Sequence, residues 1–139
     1  MEQASRQGWL GPVILAGVFY AAVDIASAAL AGAAASHQMQ FFWRLSAFGV
    51  SGVVLVAQVT YEHFRLRYNA GVTAWHASLG AAIGGFLLAL MANIHDLGSA
   101  SGYRPRLLVA LIAWPLLTGV PAFVVAVVLT VALGWKRRS

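Results

Sequence analysis

Leu107 to Trp135 reads LLVALIAWPLLTGVPAFVVAVVLTVALGW, 29 residues without a Lys, Arg, Asp or Glu. As one helix it would measure roughly 43 Å, against a bilayer hydrocarbon core of about 30 Å. The apolar run is continuous rather than alternating, which rules out a barrel strand. Peptide groups in lipid must all be paired, so the stretch is read as a helix. It is longer than a perpendicular crossing needs. Tilt and kinks at Pro115 and Pro121 are expected to absorb the excess. Thr118, between the two prolines, is placed to satisfy a carbonyl freed one turn back.

Three more blocks lie upstream. Leu10 to Ala35 is broken only by Asp24, and Val72 to Ile94 carries no Lys, Arg, Asp or Glu. Leu45 to Tyr61 is 17 uncharged residues, with Phe41, Phe42 and Trp43 as an interfacial start. The expected architecture is an all-α integral membrane protein: an antiparallel bundle of four transmembrane helices over 9–35, 42–67, 72–96 and 107–135. The whole chain, 1–139, forms a single membrane domain. The connections Ser36–Gln40, Glu62–Gly71 and Asp96–Arg106 are too short for a soluble domain, and they make sequential helices antiparallel neighbours. Asn69-Ala70-Gly71 is the expected turn of the second connection. The first block follows Arg6 and ends in Ala33-Ala34-Ala35, features of a cleavable leader. Its apolar run exceeds the ~7–15 residues of a leader's core, so it is taken as a true span.

Composition agrees. The chain is 60% hydrophobic and 9% charged, where soluble domains carry about 25% charged residues. Disorder is excluded by the same composition. The net charge of +5 is scattered between apolar blocks, so no basic face for nucleic acid forms. With no cysteine, disulfide, zinc-thiolate, iron–sulfur and thiol-redox chemistry are excluded.

Four spans place both termini on one side, with Arg6, Arg65, Arg67, Lys136, Arg137 and Arg138; Arg44, Arg104 and Arg106 fall on the other. The excess of positive charge marks the cytoplasm. The termini and the Glu62–Gly71 connection are therefore expected inside a plasma (inner) membrane. Arg65 and Arg67 read as headgroup anchors. Trp9, Trp43, Tyr103 and Trp135 fall near span ends, where amphipathic rings prefer to sit.

Asp24 is the informative polar residue. It lies roughly 21 Å along the first helix, near the bilayer centre. A carboxylate facing lipid there costs several kcal/mol. Gly17, Ala21, Asp24, Ala28 and Gly32 form a small-residue stripe that would turn it toward the bundle. Two readings follow: an ion- or substrate-binding carboxylate, or a neutral acid acting as interhelical glue. Ser51 and Thr118 are its expected partners by depth.

A second cluster is Glu62, His63 and His76. Counted from the turn at Ala70, His63 and His76 are nearly level, roughly 9–10 Å above it. Such a pair can ligate a metal or a haem, with Glu62 as third ligand or general base. The alternative is an interfacial pair bonded to backbone and water. A third cluster, His37, Arg44, His95, Asp96, Arg104 and Arg106, lies on the far side. His95-Asp96 has the make-up of an oriented general base. The plainer reading is a solvated helix end. Gly80-x-x-x-Gly84 marks a helix-packing face whose partner is in this chain or another.

The favoured functional reading is a channel or transporter for a small solute or ion, using Asp24, as a homo-oligomer. The runner-up is a non-catalytic accessory or scaffold subunit of a larger membrane complex. A third is a membrane redox or lipid-modifying protein using His63 and His76, the only reading that needs metal or haem. No nucleophile motif accompanies the histidines, so an enzyme is not favoured. The lipid bilayer is the one obligatory partner.

Overall fold

The computed structural model describes residues 8–97 and 106–135. They form helices α1 (Leu10–Ala33), α2 (His37–Tyr61), α3 (Ala70–Leu97) and α4 (Arg106–Trp135). A π-helical turn, Glu62–Leu66, extends α2. No strand occurs among the described residues. All four helices are long and apolar enough to cross a membrane.

Helix ends follow local chemistry. Ala34 is extended (φ −76°, ψ 132°) and stops α1. Ser36 then caps α2, its Oγ accepting from the Met39 amide at 3.3 Å. That cap starts α2 at His37, ahead of the aromatic run at Phe41 to Trp43, so the α1–α2 connection is shorter than the sequence suggested. At the other end Arg67 takes a left-handed conformation (φ 53°) and donates its amide to the Glu62 carbonyl. Asn69 Oδ1 accepts from the Val72 amide at 2.8 Å. The turn is thus Arg67-Tyr68-Asn69, and Ala70 and Gly71 already belong to α3. α4 continues unbroken through Pro115 and Pro121.

α3 is the central helix. Its Gly80 and Gly84 meet α1 in the same chain. A Cβ on Gly84 would stand 2.8 Å from the Tyr20 Cβ, and one on Gly17 would stand 2.6 Å from Ile83 Cγ2. The opposite face of α3 takes α4. A Cβ on Gly85 would lie 2.9 Å from the Trp114 carbonyl oxygen, and one on Gly119 would lie 3.3 Å from that of Ser78. Ser78 Oγ donates to the Gly119 carbonyl at 2.9 Å, and Asn93 Nδ2 donates to the Leu107 carbonyl at 2.8 Å. As the contact position rises along α3 it falls along α4, so these helices are antiparallel. α1 and α3 are parallel.

Sequential order is not the order of packing. α2 packs on α1 and meets α3 and α4 only lightly. Its main seat on them is Val59, which with Ala74, Ala77 and Ala126 forms a fully buried cluster. The helices' buried positions are small, while large apolar side chains point outward, such as Phe48 at 77% and Leu15 at 71% exposure. In water that surface would be costly at ~25 cal/mol per Å². A hydrocarbon surround removes the cost.

The inward face of α1 is Val13, Gly17, Tyr20, Ser27 and Ala31, with Asp24 half-buried among them. Ala28 and Gly32, expected inside, are exposed. The reason is helical pitch: 13, 17, 20, 24, 27 and 31 cover 18 residues in five steps, or 3.6 per turn. The expected stripe averages more than that and drifts off the contact.

Gly84→Ala is expected to destabilise the bundle by about 1–3 kcal/mol, the usual cost of overpacking. Gly49→Ala should be nearly silent, since nothing lies within 4 Å of its Cβ position. Unfolding of the two purified variants in one detergent compares them directly.

Candidate functional site

Asp24 stands where two cavities meet. One, about 350 Å³, lies between all four helices, with Asp24, Tyr20, Ser51, Gly85, Thr118 and Ala122 among its walls. The other, about 550 Å³, runs toward the α1–α2 turn past Ser27, Gln40, Arg44 and Trp114. Asp24 and Phe48 line both. The carboxylate has no hydrogen bond or ion pair among the described residues. It lines the two cavities, half-buried. The expected trio Asp24, Ser51 and Thr118 shares one cavity without direct bonds among its members.

The central cavity carries acceptors at Asp24 and Thr118 and a donor at the Tyr20 hydroxyl. The Thr118 hydroxyl has one hydrogen, directed at the Trp114 carbonyl (2.9 Å) or the Ala81 carbonyl of α3 (3.0 Å). It does not reach the carbonyls of Leu111 or Leu117, those freed by Pro115 and Pro121. This corrects the expected role of Thr118: it ties α4 to α3 and keeps only acceptor capacity for a guest. Tyr20, one turn before Asp24, lines the same cavity, and its buried hydroxyl has no partner among the described residues.

A second polar centre lies at the opposite end of the bundle. The α2 end and the π-turn bring Glu62 to α3, where His76 Nδ1 donates to Glu62 Oε2 at 2.9 Å. Both side chains are buried. Gln58 Nε2 donates to the other carboxylate oxygen at 3.2 Å. Trp9 stacks flat on the imidazole at 4.8 Å between centroids, and Tyr68 meets it edge-on at 5.4 Å. Glu62 reaches His76 from the α2 face that also carries Gln58 and Val59, and the π-turn begins at Glu62 itself.

The expected level pair His63 and His76 is thereby replaced. Glu62 is the residue that reaches His76. His63 packs edge-on against Phe64, its ring nitrogens buried and unpartnered among the described residues. Among those residues no three His, Asp or Glu side chains group as metal ligands would. The candidate set Glu62, His63 and His76 is a hydrogen-bonded pair beside a third residue, short of a ligand shell.

At the α1–α2 end, His37 and His95 are exposed and Asp96 is half-buried. Arg104 lies outside the described residues, and nothing is described of the Arg106 side chain. Arg44, grouped with them by sequence, belongs instead to the wall of the cavity beside Asp24. Sequence reasoning also missed Gln58, Tyr20 and Gln40. Gln58 and Tyr20 had a signal: each lies four residues before a carboxylate, on the same helix face.

No protein-family model, curated protein or solved structure matches the chain.

Glu62→Ala and His76→Ala are each expected to cost about 3–5 kcal/mol, since either leaves a buried polar partner stranded. The double variant should lose less than the sum by roughly 0.5–3 kcal/mol. Denaturant titration of all four proteins checks this, and strict additivity would show that the pair is not an energetic unit.

Proposed function

We propose that this chain crosses a plasma (inner) membrane four times, both termini cytoplasmic, and that it carries or conducts a small solute or ion past Asp24. One observation carries the reading: a carboxylate in the middle third of α1, with no bonded partner among the described residues, lines two adjoining cavities that open to the surface. A carboxylate serving as glue between helices would be expected to hold a donor, and none is bonded to it among the described residues. Intramembrane ionisable groups mark solute paths more often than packing contacts. The guest is one that donates hydrogen bonds or bears positive charge, because Asp24 and the Thr118 oxygen offer acceptors.

The outward-facing Leu, Val, Ile and Phe side chains support insertion, and the Lys and Arg imbalance supports the orientation. A second reading, a non-catalytic accessory or scaffold subunit of a larger membrane complex, is favoured by α2. Only Ala47 and Val59 of that helix are buried, and Gly49 and Gly52 have open space beside them.

Asp24→Asn keeps the shape and removes the charge. In proteoliposomes it is expected to lower flux of the transported solute or ion by about tenfold or more, the scale of one lost charged contact. Equal flux at equal protein incorporation removes Asp24 from the mechanism. Cross-linking of the wild-type chain in its native membrane tests the second reading.

A further inference from the structure

We propose that the cavity between Asp24 and Arg44 binds a zwitterion, a small solute or lipid headgroup with a cationic nitrogen and an anionic oxygen group. This rests on the transport reading of the same carboxylate and names its substrate class. Asp24 lies 11 residues before Ala35, the middle of the α1–α2 connection, and Arg44 lies 9 after it. In antiparallel helices that places them about 3 Å apart in height. Both line the cavity of about 550 Å³. Despite opposite charges, no ion pair joins them among the described residues.

Opposite charges in a weakly screening site attract strongly. Two that face one space without closing on each other form a recognition pattern for a molecule that bridges them. A cation would answer Asp24 and leave the guanidinium unanswered, and an anion would do the reverse. A zwitterion answers both and brings no net charge to the site. The remaining walls suit this polarity. Phe48 and Trp114 supply aromatic rings for a cationic nitrogen, a role such rings fill well. Gln40, whose Nε2 donates one hydrogen to the Ala34 carbonyl at 3.5 Å, keeps a second beside Arg44, whose planar fork matches a carboxylate or a phosphate. The volume falls within the usual range for small-molecule sites. Arg44 is exposed, as are Phe48, Ala28 and Gly32 along the same cavity, so access from the surface is direct.

The purified full-length protein, titrated calorimetrically, provides the test. Glycine betaine serves as zwitterion, choline as its cationic half and acetate as its anionic half. Nanodiscs of phosphatidylethanolamine against phosphatidylglycerol supply the headgroup arm. Saturable binding of glycine betaine, about tenfold or more tighter than choline or acetate, is expected. Asp24→Asn and Arg44→Gln should each lower it by a similar factor. Thermal unfolding without ligand verifies that both variants are folded, and loss of the betaine-induced rise in midpoint repeats the readout independently. Preferential stabilisation by phosphatidylethanolamine, lost in both variants, supports the proposal with a lipid headgroup as the source. Choline binding as tight as betaine with Arg44→Gln silent overturns it in favour of a cation site, and so does failure of both arms. Flux through Asp24 without zwitterion binding sinks this proposal alone, whereas zwitterion binding without flux sinks the transport reading alone.

Discussion

Backbone contact between α1 and α3 is the constraint on which the rest of the bundle depends. Gly17, Gly80 and Gly84 remove the side chains that would otherwise hold the two helices apart, and Tyr20 and Ile83 close over the gap. In a lipid surround, helices gain little from hiding apolar surface, because the solvent is equally apolar. Association then draws on dispersion at close range, which small residues permit. α4 docks on the other face of α3 by the same device at Gly85 and Gly119, reinforced by hydroxyl bonds from Ser78 and Thr118. The three-helix unit is therefore tight, and its inward positions have no room for large side chains.

α2 has no comparable groove. It is fixed at one end by the Ser36 turn, and at the other by Val59 and the Glu62–His76 bond. Between these ends it stands away from α3 and α4, and the central cavity occupies that space. The two facts are one: a helix pinned at both ends and unsupported in the middle leaves a void, and polar side chains collect around it. A buried polar pair is a poor source of net stability, because desolvation offsets most of the attraction. What Glu62 and His76 provide is register. Only one rotation of the α2 end brings the carboxylate to the imidazole while Val59 enters the Ala74, Ala77 and Ala126 cluster.

The helices were legible because apolar runs of this length admit one reading. The cavity walls were half legible. Depth alone placed Asp24 with Ser51 and Thr118, since helix rise is constant. Rotation was less accessible: Ala28 and Gly32 seemed to continue a stripe that true pitch carries outside. The histidine pair failed on rotation as well. Level height says nothing of rotation: a regular α-helix already carries Glu62 on the Gln58 and Val59 face, toward α3, and turns His63 a further ~100° from it. Adjacent connection likewise overstated the α2–α3 contact, which is confined to the Val59 and Glu62 end, because connectivity says which helices are near in sequence and glycine placement says which can pack closely along their length.

The cavities are also unequal along the bundle axis. Toward the α1–α2 turn they continue past Ser27 and Gln40 to the exposed Arg44. Toward the other end the path beyond Leu55 meets Val59, Ala74, Ala77 and Ala126, none of which has accessible surface. Below that plug sits the Glu62–His76 bond, covered by Trp9. On the transport reading, a solute at Asp24 reaches the α1–α2 end past Arg44, and passage to the other end requires the plug to part. The helix that must move is α2, since α1, α3 and α4 are locked through their glycines. Few side chains of α2 are buried, so its displacement is opposed mainly by the Val59 seat, the packing on α1 and the Glu62–His76 hydrogen bond. A bond that contributes register more than stability suits a closure that must also release.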